Sequence, residues 1–106
     1  MSLQRIVVER LFDTPQSDAD MKLVADRERP CLAAYQATWK RSLVSTDRKR
    51  MICEYEAADA ESVRAVQREA RATFDRIWTA EPLVPTPQPA GPHGGDRATA
   101  AAPRRG

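Results

Sequence analysis

Cys31 and Cys53 are the only thiols in the chain, and a thiolate is a strong donor for soft and borderline transition metals. Their separation matches no compact CxxC metal motif. Two buried structural thiols, a metal pair completed by carboxylates or by a second subunit, and a reversible disulfide all fit that spacing. A second set of reactive types is the charges set into apolar runs: Glu9, Arg10, Arg41, Glu54, Glu56, Asp75 and Arg76. A charge that interrupts an apolar strand needs either solvent or a partner. Catalytic carriers are sparse. The one histidine, His93, stands between Pro92 and Gly94, and there is neither a Gly-rich phosphate loop nor a nucleophile–base spacing.

The elements that must position these groups follow from periodicity. Residues 4–12, QRIVVERLF, are β-branched and aromatic and are closed by Asp13-Thr14-Pro15, which predicts a first strand. Ser17 caps a helix whose apolar stripe runs through Met21, Val24, Cys31 or Leu32, and Tyr35. Pro30 predicts a kink, or an end near Arg29 and a new turn. Residues 37–45 and 49–57 form an antiparallel hairpin around Thr46-Asp47-Arg48. Strict alternation puts Ala37, Trp39, Arg41 and Leu43 on one side of its first strand. Asp59 caps a second helix with Val63, Val66, Ala70 and Phe74 as its stripe, and residues 75–81 make a last strand before Pro82.

Residues 82–106 hold six of the eight prolines and all four glycines, and beyond Val84 they carry no large apolar side chain. Such a segment cannot bury enough surface to offset the entropy of ordering, so it reads as a disordered Pro/Gly/Ala-rich tail behind a folded unit at 1–81. The formal net charge of +2 belongs to that tail, through Arg97, Arg104 and Arg105 against Asp96. The folded unit is therefore near neutral and offers no basic nucleic-acid face. No apolar run reaches the ~18 residues of a membrane span, and no export signal is visible. Two cysteines without such a signal point to reduced thiols in the cytoplasm.

The order β-α-β-β-α-β is the α+β ferredoxin-like pattern: a four-stranded antiparallel sheet with two helices on one face. Trp39 and Trp78 do not both fit beneath the helices, so the other face keeps large apolar groups and needs a cover. Face-to-face pairing of two copies into a dimeric α+β barrel supplies one. RNA recognition on this sheet calls for a basic-Gly-aromatic run in the third strand. KRMICEYEA has no glycine and interleaves two acids.

The segments IVVERLFDTP, RPCLAAYQATWKRSLVSTDRKRMICEYEAADAESVRAV and FDRIW, in that order and spacing, resemble a family of small bacterial ferredoxin-like proteins described as nickel-binding-protein-like. The resemblance runs from about Ile6 to Leu83. It implies a homodimeric α+β barrel and, for at least one member type, nickel binding, but no particular reaction; nickel or another divalent transition metal is the expected cofactor. A ligand set is not carried over, because the folded unit has no imidazole.

The sequence thus reads as a small cytoplasmic protein that binds a metal or a small ligand without catalysis. Two alternatives stand beside it: an enzyme working in a barrel pocket, and a purely structural or partner-binding dimer. Alternation puts Cys53 and Tyr55 on one face of their strand and Glu54 and Glu56 on the other. Glu9, Trp39, Arg41, Glu54 and Trp78 are the expected pocket residues on the barrel side, with Cys31 and Cys53 the candidate metal ligands. An Arg–carboxylate network holding two copies together accounts for the same charges.

Overall fold

The structure, a computed structural model, describes residues 2–86. Its elements are β1 (Gln4–Leu11), α1 (Asp18–Ala34), β2 (Thr38–Val44), β3 (Arg50–Ala57), α2 (Ala60–Ala70) and β4 (Arg76–Ala80). The strands pair antiparallel in the order β2-β3-β1-β4, the ferredoxin-like α+β arrangement expected from the pattern. Beyond β4, residues 81–86 have no regular structure and Leu83 and Val84 are exposed. The rest of the Pro/Gly/Ala-rich segment, with His93, lies outside the described residues. No helix among the described residues is long and apolar enough to cross a membrane.

Local chemistry explains the helix ends. Ser17 Oγ accepts from the Asp20 amide at 3.0 Å and Asp20 Oδ2 accepts from the Ser17 amide at 2.9 Å, a reciprocal capping box. Asp59 caps α2 by accepting from the Ser62 amide at 2.8 Å. The helix stops at Arg71, whose φ of 56° is left-handed, and the Ala72 amide donates back to Gln67 O at 2.9 Å. Phe74 therefore lies past α2 rather than on its stripe, yet still packs against the core.

Pro30 does not end the first helix. α1 continues to Ala34, and its close is held by the amides of Tyr35 and Ala37 donating to Cys31 O and Leu32 O at 3.0 and 2.9 Å. Cys31, Leu32 and Tyr35 all pack against the core. That packing holds the turn against the ~3 kcal/mol that an internal proline costs.

The helices cover the face carrying Ile6 and Val8 of β1 and Cys53, Tyr55 and Ala57 of β3, closed from above by Val63 and Val66 of α2. On β2 strict alternation fails. The register passes from Trp39 opposite Tyr55 to Arg41 opposite Glu54, a β-bulge at this edge strand. The extra residue puts Trp39 on the helix side with Ser42 and Val44, while Arg41 and Leu43 lie on the open side with Glu54 and Ile52. The expectation that Trp39 and Arg41 share a face is thereby overturned.

A left-handed non-glycine residue ends α2, so Arg71→Gly relieves a steric cost of about 1 kcal/mol. Thermal unfolding of this variant should shift upward by a few degrees; a lower midpoint contradicts this account of the helix end.

Candidate functional site

Charged groups gather on both faces of the sheet. On the helix side, Arg10 continues the alternation of Ile6 and Val8 inward, and Glu28 lies on α1 between Val24 and Leu32 on its inward side. Both are almost closed to solvent, at 4% and 5% exposure. Arg10 Nη2 meets Glu28 Oε2 at 3.2 Å and donates to the Tyr55 hydroxyl at 3.1 Å, while Nη1 donates to Thr73 O at 2.7 Å. Tyr55 in turn donates to Glu28 Oε1 at 2.7 Å. Burial, reinforced by the Glu28 charge, pushes the Tyr55 phenol far above its ordinary range. Burial acts to lower the Arg10 pKa, but Cys53, Tyr55 and Glu28 around it outweigh that and hold it above its ordinary value.

This network floors a cavity of about 340 Å³ between α1 and the β2–β3 edge. Its walls are mainly apolar, with Phe12, Met21, Val24, Trp39 and Met51 prominent. Cys53 also borders it, whereas Cys31 turns its Sγ to Arg27 O at 3.7 Å.

The open face carries the other cluster. Glu54 lies between two arginines, with Arg5 Nη1 at 2.8 Å and Arg41 Nε at 3.3 Å. Glu9 accepts from Trp78 Nε1 at 2.7 Å. Around these charges Leu11, Leu43 and Trp78 remain 58%, 55% and 44% exposed.

Four of the five residues read from the sequence as a pocket set, Glu9, Arg41, Glu54 and Trp78, thus share the open face. Trp39 is on the opposite face. Arg5 and Glu28 complete the two clusters, and Arg5 carries no mark of its own in the sequence. The signal for Glu28 was its position: an acid on the helical stripe that runs from Met21 to Tyr35. Read with Arg10 on the inward phase of β1, it presents opposite charges on two facing apolar surfaces.

The metal expectation meets a different arrangement. Cys53 is buried beside Arg10 and Tyr55, on the face away from Glu54 and Glu56. Among the described residues no group of three or more His, Cys, Asp and Glu side chains comes together. The described residues of one chain therefore do not fit a complete nickel site, which needs several donors with imidazole or thiolate among them.

Comparison with known proteins gives a consistent family. The family model described as "Nickel responsive protein SCO4226-like" matches residues 7–79. Among solved structures, the crystal structure of SCO4226 from Streptomyces coelicolor A3(2) is similar, with a TM-score of 0.69 at 11% identity, covering 76% of this chain and 99% of that one. At that identity the likeness speaks for the fold. No curated protein matches the chain.

Glu28→Ala leaves the Arg10 guanidinium buried and uncompensated. The expected loss is about 3–5 kcal/mol, a large share of the roughly 4–12 kcal/mol for a unit this size. Chemical denaturation of Glu28→Ala, Arg10→Met and the double variant reads it, with the double variant far less costly than the sum. Additive losses would mean that the pair is not coupled.

Tyr55 adds a pH signature. Its folded pKa lies above the unfolded value near 10, so its contribution is complete below that value. As pH rises past it, the unfolded chain releases a proton that the folded chain retains, and stability falls. Stability measured between pH 8 and 11 should show a decline that Tyr55→Phe reduces. An identical slope in both proteins rejects the assignment.

Proposed function

Because the chain belongs to the SCO4226-like family of nickel responsive proteins, we propose that it is a non-enzymatic, metal-related binding protein of the cytoplasm, working as a homodimer closed through its open sheet face. The observation that supports this reading is the composition of that face. Leu11, Leu43 and Trp78 stay largely exposed around a carboxylate, Glu54, that two arginines already compensate. Glu54 is neutralised by Arg5 and Arg41, and the indole N–H of Trp78 is satisfied by Glu9. Covering such a surface removes apolar area from water, favourable by about 25 cal/mol per Å², and finds the Glu54 charge already compensated. Two unbridged thiols agree with a reducing compartment.

Nickel binding by this protein then depends on donors from more than one copy. The carboxylates carried by the face that a second copy covers are Glu9, Glu54 and Glu56, and two-fold symmetry presents each of them twice. Cys53 is separated from them by the thickness of the sheet.

Sedimentation velocity at micromolar concentration should give a dimer, and Leu43→Lys should weaken association at least tenfold while leaving the fold intact. A monomeric wild type overturns the assembly. Native mass spectrometry with added nickel should give an EDTA-reversible mass shift on the dimer that the monomeric Leu43→Lys variant loses. A monomer that keeps its full nickel complement rules out a shared site.

A further inference from the structure

The cavity beneath α1 lies on the opposite face from the dimer surface and serves none of the roles assigned above. We propose that it is a separate binding site for a small neutral molecule with an apolar, two-ring-sized body and one O–H or N–H donor.

Volume and lining set the size and the body. At about 340 Å³ the cavity lies within the roughly 300–1,000 Å³ typical of ligand sites. It exceeds twice the ~150 Å³ that hold a single benzene ring. Phe12, Met21, Val24, Leu32, Trp39 and Met51 supply an apolar wall, with two thioethers that adapt to an irregular shape. Trp39 belongs to this wall because the β2 bulge turns it to the helix side, where its Nε1 donates to Ser42 Oγ at 2.9 Å. Its ring is half exposed and stands at the mouth rather than in the core.

The floor sets the charge and the polar group. Arg10 and Glu28 cancel, and both are buried, while Lys22, the third charged group of the lining, is exposed and paired with Asp26 at 2.8 Å. An anionic ligand would add a second negative charge beside Glu28, and a cationic one would face Arg10. Either would also have to shed its hydration in a largely apolar pocket. A neutral molecule meets neither penalty. Each Glu28 oxygen is met by one protein donor, Oε1 by Tyr55 and Oε2 by Arg10. A carboxylate offers about four acceptor positions, so the floor still accepts a hydrogen bond. The complementary ligand group is a donor.

A matched series of probes tests this directly: 2-naphthol, naphthalene and 2-naphthoate, titrated into the full chain at neutral pH by equilibrium dialysis. 2-Naphthol should bind saturably, one per chain, at least tenfold tighter than naphthalene because of its hydrogen bond to a charged acceptor. 2-Naphthoate should bind weakest. Ala25→Trp fills the cavity and should abolish binding, while Leu43→Lys on the other face should leave it unchanged. Circular dichroism and cooperative unfolding establish that each variant folds, and Val24→Phe replaces Ala25→Trp if that protein does not. Absence of saturable 2-naphthol binding, its persistence in the filled variant, or tightest binding by 2-naphthoate overturns the proposal. Loss of binding only in Leu43→Lys would move the site to the dimer face.

Discussion

The buried contact of Arg10 and Glu28 decides how this small domain is put together. α2 docks through an apolar stripe, burying Val63, Val66 and Ala70 together with Gln67. α1 also has a stripe, but its apolar members Cys31, Leu32 and Tyr35 are only partly buried, and the one residue it buries fully is an acid, Glu28. Bringing a carboxylate and a guanidinium out of water costs several kcal/mol per ion, which mutual attraction offsets only with good geometry and further hydrogen bonds. Both conditions are met here: Tyr55 bridges the pair and Thr73 O takes a further Arg10 N–H. A directional contact of this kind fixes where along the sheet α1 sits. A nonspecific apolar contact would hold it more loosely. Arg27 adds a second fixed point by donating to Ala70 O and Arg71 O at the end of α2.

The same docking mode leaves room beneath the helix. Because α1 is held by a polar contact on its inner face and by α2 along one side, its other side is not drawn down onto β2 and β3. The bulge in β2 enlarges the effect. With strict alternation Trp39 would face outward with Arg41, and the edge beneath α1 would present Thr38 and Lys40. The shift puts an indole there beside Val44, so the gap acquires an apolar wall. A cavity with a neutral polar floor and apolar sides is thus a product of the ion pair and the bulge acting together.

These two features also mark the limit of what the sequence revealed. Element order, caps and most boundaries were legible because each has a local cause: Ser17 with Asp20, Asp59 with Ser62, and the alternation of Ile6, Val8 and Arg10. The inward position of Tyr55 and the outward position of Glu54 followed from period two alone. The face of Trp39 did not, because a bulge depends on pairing with β3, and nothing within TWKRSLV marks it. The extension of α1 through Pro30 is another tertiary effect, since Cys31, Leu32 and Tyr35 are held by contacts far along the chain. Glu28 could have been found by asking why an acid occupies the stripe of a helix that must cover Arg10.

The short run Cys53-Glu54-Tyr55 brings these threads together on β3, next to the middle of the sheet. Tyr55 reaches the cavity floor, Glu54 anchors the paired arginines on the open face, and Cys53 fills the core between Val8 and Ser42. Neighbours in sequence therefore serve opposite surfaces, and a thiol and a carboxylate that adjoin in the chain cannot act as one ligand pair. Any metal chemistry on the open face must use oxygen donors from that face or donors from beyond the described residues. The ligand preferences of nickel make that a demanding requirement. The apolar cavity makes no comparable demand, since its walls and its neutral floor are complete within a single chain.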